Sequence, residues 1–315
     1  AASSVKEMVV LADSDVKTRE VTTWKGLHLF NFHGSACSQK CRIVMNLKEC
    51  QFKSRAINIA MSENFTPFYL GINPRGLVPV LVHDGTVHIE SNDIVQYIDQ
   101  IGKGDVRLVP EEHKAEILEG VKLDDSLHNA MRDLTFRYMI PRSMAKKPKS
   151  ALKALQTNEG TVQGVADNYK DWEVNWWRDF EKHGIPDEDV KKSAGLFRSA
   201  LDAVEAKLQK TPYILGEELT LLDINWFICC FRITAGCGYP LEELHPAVNA
   251  WYQKLLARKE FSREVAIEFP ISFAIKLIRS SDRRKGTSLA EVAGWRPSNP
   301  KPFFSCCAAP QVAPA

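Results

Sequence analysis

"INPRGLVPVLVHDGTVHIES", Ile72 to Ser91, decides the fold. Val80 to His83 and Thr86 to Ile89 are short β-prone runs, and Asp84-Gly85 between them predicts a tight hairpin, because a type I′ turn needs positive φ at both central residues. Ser91 is placed to cap a helix carrying Ile94, Val95 and Ile98 on one face. Pro79 stands among β-formers and cannot donate to a ladder, so it calls for an edge position or a special geometry, such as a cis bond after Val78. Upstream, "LHLFNF" (Leu27–Phe32) reads as a buried strand. A helical pattern runs from Ser38 to about Cys50, with Ile43, Val44 and Leu47 together. "FKSRAINIA" from Phe52 is strand-like, and a helix-compatible stretch spans Asn64 to Leu70. The order is β-α-β-α-β-β-α, a compact α/β unit with a parallel start and an antiparallel finish.

Gly102-Lys103-Gly104 reads as a linker, and the chain beyond it is helical in pattern. Leu127, Met131, Leu134 and Tyr138 recur at helical spacing up to Pro141. Trp172, Trp176 and Phe180 fall at i, i+4 and i+8, and Leu196 to Leu208 is amphipathic. Thr220-x-x-Asp223 has capping-box spacing, with Asp in place of Glu. The expected organisation is a flexible N-terminal arm (1–23), an α/β domain (24–104), an all-helical domain (105–275) and a basic, Pro-rich, disordered tail (276–315).

Bulk properties exclude several classes. At 315 residues with 44% apolar and 25% charged content, the chain can bury two modest cores. A net charge of +2, with Lys and Arg dispersed, gives no nucleic-acid footprint. The longest apolar runs fall far short of the ~18 residues that suggest a membrane span. "AASSVKEM" at the start has neither an initiator Met nor an apolar signal core, which leaves processing and trimming both open. The eight cysteines form no C-x-x-C pair and no zinc-ligand spacing, so no metal is expected. A chain of this size with this core points to free thiols in a reducing compartment, taken here as the cytoplasm. Adjacent Cys306 and Cys307 leave two readings open, a site of S-acylation and membrane association or two incidental thiols.

The chemistry-bearing candidate is "FHGSACSQKCRIVM", Phe32 to Met45. With the helix starting near Ser38, Cys37 lies at its N-terminus, where free N–H groups and the macrodipole favour a thiolate. A thiol of pKa ~8.5 is only about 3% ionised at pH 7, and lowering it by roughly two units makes the thiolate dominant. Ser35 could donate to a sulfur anion, and Lys40 adds charge nearby. Two readings of Cys37 stand at this point, a reactive thiol or a small residue packed at a turn. Cys41 reads as packing or, at i+4, as a resolving thiol. Glu90 and Ser91 read as a plain helix start or as a cradle for a peptide-like ligand.

Taken together and in order, these stretches resemble the glutathione transferase superfamily, over roughly Leu27 to Phe269. The resemblance implies a thioredoxin-like N-terminal domain followed by an all-helical C-terminal domain, a glutathione cosubstrate and a homodimer. "SACSQKCRI" is similar to the S-S-C-S-x-[RK]-x-R-I motif of the zeta class (maleylacetoacetate isomerases), and at least as similar to the S-x-C-S-x-K motif of tetrachlorohydroquinone reductive dehalogenases. "ENFTPFYLGINP" also looks like the dehalogenase segment. The long stretch between Pro141 and Gly195 is closer to dehalogenases and bacterial lignin β-etherases than to the zeta pattern. Ala36, Gly34 and Leu77 depart from the zeta residues.

The resemblance implies that Ser35 polarises or holds glutathione's thiolate and that Cys37 is the redox nucleophile. It implies glutathione contacts at Ser38, Asn64, Val78 and Pro79, with Glu90 and Ser91 at the γ-glutamyl end. The expected activity is that of a glutathione transferase-like enzyme acting on a hydrophobic aromatic or unsaturated electrophile, with a Cys37–glutathione mixed disulfide in reductive dehalogenation or thiol transfer. The alternatives are a zeta-like isomerase or conjugating enzyme with Ser35 catalytic, and a non-enzymatic binding or scaffold protein. The second substrate should sit between the domains, with Arg132, Tyr138, Trp176 and Trp226 as wall candidates alongside a core-packing reading of the tryptophans.

Overall fold

The computed structural model describes residues 8–267 and 271–295. The first unit runs β1 (Leu27–Asn31), α1 (Ala36–Leu47), β2 (Phe52–Ala56), α2 (Pro67–Leu70), β3 (Val80–His83), β4 (Thr86–His88) and α3 (Ser91–Ile101), in the expected order. The sheet order is β2-β1-β3-β4. β1 and β2 are parallel, with Leu27 opposite Phe52, and α1 supplies the crossover that a parallel pair requires. β3 runs antiparallel to β1, and β4 returns beside it. Asp84 (φ 47°) and Gly85 (φ 86°) make the left-handed turn that closes the hairpin. Gly85 is also fixed by space, since a Cβ there would stand 2.1 Å from the Thr22 carbonyl oxygen.

Strand alternation divides the apolar residues between two faces. Leu29 and Leu81 face the helical side, with Ile43, Val44, Ile94 and Ile98. Phe30, Val80, Val82 and Val87 face the other side, with Tyr69 and Ile72. That second face is covered by Val9, Leu11, Val16 and Val21. The arm expected to be flexible is therefore packed from Val9 onward. The Leu11 amide donates to the Val87 carbonyl at 2.9 Å along the outer edge of the sheet, and Arg19–Thr23 forms a 3-10 turn. Four apolar side chains at irregular spacing carry no period, yet they protect an edge strand and a whole apolar face.

The expected linker is a close crossing, in which the Lys103 and Gly104 amides both donate to the Lys48 carbonyl. Beyond it come α4 (Lys114–Ser126), α5 (His128–Tyr138), α6 (Lys149–Gln156), β5 (Thr161–Val162), β6 (Val165–Ala166), α7 (Tyr169–His183), α8 (Asp187–Leu208), α9 (Leu221–Phe231), α10 (Leu241–Leu244), α11 (Pro246–Leu256), α12 (Lys259–Val265), α13 (Ile271–Lys285) and α14 (Leu289–Val292). The second unit is thus helical apart from the β5–β6 hairpin, whose strands of two residues each are too short to show a period. Asp15 of the N-terminal segment ties down this hairpin by accepting from the Gly164 amide at 3.1 Å. α8 starts at Asp187, well before the amphipathic stretch from Leu196. α9 is buried on all sides and opens on the Thr220–Asp223 capping box.

The tail expected to be disordered from residue 276 instead continues α13 and adds α14. Leu289 and Val292 are buried, and Trp295 packs edge-on against Tyr239. Cys306 and Cys307 lie outside the described residues. Among the described residues, no helix is long and apolar enough to cross a membrane.

Candidate active site

A cavity of ≈ 380 Å³ opens between the sheet unit and the helical unit at the start of α1. The chain leaves β1 at Asn31, turns, and enters α1 with Ser35 as its cap. The Ser35 Oγ accepts from the Ser38 amide at 3.3 Å. Cys37 is the second residue of the helix, in the turn whose amides have no intrahelical acceptor, and it lines the cavity with Ser35. Its Sγ lies 3.6 Å from Nε2 of His128, the first residue of α5 in the other unit.

Burial alone would push the Cys37 thiol up. The neighbouring His128, Lys40 and Ser91 overcome that penalty and bring it down to about 7. The Cys37 sulfur in turn raises His128 above the ordinary histidine range. The pair therefore favours thiolate and imidazolium.

Lys40 does not point to solvent. Its Nζ donates to Asn92 Oδ1 at 2.6 Å and to Asp124 Oδ2 at 2.9 Å, inside the contact between the units. Arg232, where α9 loosens into a π-helical turn, donates from Nη2 to the Gly34 carbonyl at 2.6 Å and lines the same cavity. Cys41 is fully buried and its thiol is pushed well up by desolvation, which favours the packing reading over a resolving role.

The residues expected to hold glutathione converge only in part. Asn64, Val78, Pro79, Glu90 and Ser91 all line the cavity. The Val78–Pro79 bond is cis. No hydrogen bond joins the Val78 backbone N–H or C=O to any described residue, so a main-chain donor and acceptor remain for an extended ligand. Asn64 donates to the Gly76 carbonyl at 2.7 Å, while its own Oδ1 is buried without a partner. These features fit a peptide-like cosubstrate such as glutathione.

Glu90, at φ 68°, occupies the cap of α3, and Ser91 is the first helical residue rather than the cap. Arg75 grips Glu90 at 2.5 Å and also pairs with Asp167 before α7. Ser38 does not reach the cavity. It is fully buried, and its Oγ accepts from the Phe32 amide at 3.3 Å to hold the turn.

On the helical side, Arg132 lines the cavity and pairs with both Glu173 oxygens at 2.6 and 2.8 Å. The other three wall candidates lie behind the lining. Trp176 stacks on the Arg132 guanidinium, 3.6 Å from ring centroid to carbon. Tyr138 and Trp226 are core residues, 2% and 4% exposed. The inward face of α7 is Glu173, Trp177 and Phe180, a rotation of one residue from the Trp172–Trp176 stripe. The rotation places a carboxylate against Arg132, where the Trp177 Nε1–H also donates to it at 2.6 Å.

His128, Arg232, Lys147 and Trp177 escape sequence reasoning, although all line the cavity. Only Trp177 has a signal, the aromatic density of its helix. The others reach the site through packing between the units.

Comparison with known proteins places this arrangement in a family. Residues 29–105 match the glutathione S-transferase N-terminal domain, and residues 187–254 match the C-terminal domain. The tetrachloro-p-hydroquinone reductive dehalogenase of Sphingobium chlorophenolicum is 25% identical over 251 residues, 74% of this chain and 93% of that protein. A zeta-class glutathione S-transferase of Euphorbia esula is 38% identical over 74 residues, 24% of this chain and 33% of that protein. Among solved structures, the β-etherase LigF from Sphingobium sp. strain SYK-6 shares the fold, with a TM-score of 0.65 at 22% identity over 76% of this chain and 98% of that one.

Proposed function

We propose, for a chain that belongs to the glutathione S-transferase family, an enzyme whose working nucleophile is Cys37 and whose cosubstrate is glutathione. The observation that carries this reading is the Cys37–His128 pair, 3.6 Å apart at a helix start inside a cavity with a free main-chain edge. The main-chain groups of Val78, with Asn64, Glu90 and Ser91, would hold the peptide. The Ser35 hydroxyl, whose oxygen already accepts from the Ser38 amide, keeps its proton to donate toward glutathione's sulfur.

The chemistry is that of a thiolate beside an imidazolium. A glutathionyl adduct of the electrophile presents a carbon–sulfur bond to Cys37. The Cys37 thiolate attacks that sulfur, the carbon–sulfur bond breaks, and the electron pair leaves on carbon. His128, protonated beside the sulfur, would give its proton to that carbon. The organic product is reduced by two electrons, and Cys37 is left as a mixed disulfide with glutathione. A second glutathione thiolate attacks the disulfide, releasing oxidised glutathione and free Cys37. Six described cysteines, all unpaired, suit a reducing compartment such as the cytoplasm.

The test compares Cys37→Ser and Ser35→Ala in reductive turnover and in plain conjugation. Loss of reductive turnover in Cys37→Ser, with conjugation retained, is expected. The competing reading, conjugation or isomerisation driven by Ser35, draws on the position of Ser35 in the same cavity. It predicts that Ser35→Ala is inactive while Cys37→Ser is undiminished.

A further inference from the structure

The helical wall of the cavity carries a cation that makes no direct ion pair among the described residues. Arg132 is matched by Glu173, and Arg75 by Glu90 and Asp167. Lys147, between Pro141 and α6, also lines the cavity, yet it makes no ion pair among the described residues. Its Nζ donates to the Ile59 carbonyl, 4.9 Å from the Trp177 ring centroid and 5.8 Å from that of Phe65. Burial, with Arg132 nearby, lowers this ammonium to about 8 against the opposing pull of Glu173, whose two oxygens are already held by Arg132. Phe136, Ile140 and Met144 add apolar wall around it. An ammonium beside two aromatic rings, with its nearest carboxylate committed to Arg132, is complementary to a flat ligand that carries an oxyanion.

We propose that the second substrate is an aromatic electrophile bearing an anionic group, a carboxylate or phenolate, and that Lys147 receives that group while the ring lies against the Trp177–Phe136 wall. This deepens the reading of the cavity given above and rests on it for the word substrate. Binding alone tests the recognition. The full chain is titrated with 3,5-dinitrobenzoate and with its neutral methyl ester, which share one ring. Affinities are read by calorimetry and by quenching of tryptophan fluorescence.

The acid should bind about tenfold more tightly than the ester, the size of one charge-assisted contact. Lys147→Gln should bring the ratio close to one, and Lys147→Arg should keep most of it. Circular dichroism checks that both variants are folded, and Lys147→Ala takes the place of the glutamine variant if that one is not. An equal affinity for acid and ester in the parent chain overturns the proposal, as does a ratio that Lys147→Gln leaves unchanged. Weakened glutathione binding in Lys147→Gln with the acid-to-ester ratio intact also overturns it, because the lysine then reads glutathione's own carboxylate. Turnover with glutathione is scored separately in Cys37→Ser, so failure of the enzymatic reading is seen apart from failure of this one.

Discussion

His128 Nε2 stands 3.6 Å from Cys37 Sγ, and the two residues come from different structural units. The reactive pair therefore exists only when the helical unit is docked on the sheet unit. Its effect can be measured through the thiol. With the Cys37 thiol brought down to about 7, alkylation by iodoacetamide should rise along a titration centred there. In His128→Gln the burial penalty remains and its main opponent is gone, so the midpoint should move up to about 8.5 or above. At pH 7 the rate should fall about tenfold or more, one factor of ten per unit of pKa. An unshifted profile would show that the helix start and Lys40 suffice.

Selectivity among the cysteines is a second consequence. Incubation with oxidised glutathione should place the adduct on Cys37 among the six described thiols. Cys41, Cys229, Cys230 and Cys237 are buried, and desolvation pushes each of their thiols up. Cys50 is also raised. Peptide mapping by mass spectrometry decides the matter, and stoichiometric label on any of those five would contradict the electrostatic account.

How much of the molecule is legible in its sequence depends on how each feature is encoded. The sheet unit is legible because Asp84-Gly85, Pro79 and the strand alternation are local signals. Ser35 and Cys37 are legible because a helix start is written within a few residues. The segment around Val9, Leu11 and Val16 reads as flexible because its role is to cover a face formed elsewhere. His128, Arg232 and Lys147 carry no local mark, since each becomes functional only by meeting residues far away in the chain. Trp176 and Trp226 leave wall and core readings both open for the converse reason, and the core-packing reading is the one the structure follows. An aromatic at helical spacing states that a face is buried, but not whether a ligand or the core buries it.

The capping box of α9 gives a stability prediction. Asp223 accepts from the Thr220 amide at 2.9 Å, the Ile214 amide at 3.0 Å and the Trp251 Nε1–H at 3.0 Å. Asp223→Ala strips these buried donors of their acceptor and should cost about 2–4 kcal/mol, more than the ~1 kcal/mol of an exposed cap. Asp223→Asn keeps an acceptor oxygen and should lose less. Urea denaturation of the two variants checks the order, and equal losses would mean that the site tolerates the missing acceptor.

Lys40 and Asp124 tie the two units together, and their cost structure is asymmetric. The pair is buried, at 2.9 Å, with Asn92 bonded to both partners and Asn225 to Asp124. Burial raises the Asp124 carboxyl, but Lys40 and Asn92 outweigh it and hold the group below the usual aspartate value. A carboxyl whose folded pKa is depressed adds stability above its unfolded value, about 3.9, and loses it as the pH falls through the folded one. The urea midpoint should therefore hold through neutral pH and drop below about pH 4. Removing one partner strands the other without water, so Lys40→Met should cost roughly 3–5 kcal/mol at pH 7. Lys40→Met with Asp124→Leu leaves no stranded charge and should recover much of that loss. The double-mutant cycle measures the coupling directly. Single and double variants of equal stability would mean that the pair contributes position rather than energy. In that case Lys40→Met should still raise the alkylation midpoint of Cys37, because Lys40 is one of the charges that hold the thiol down.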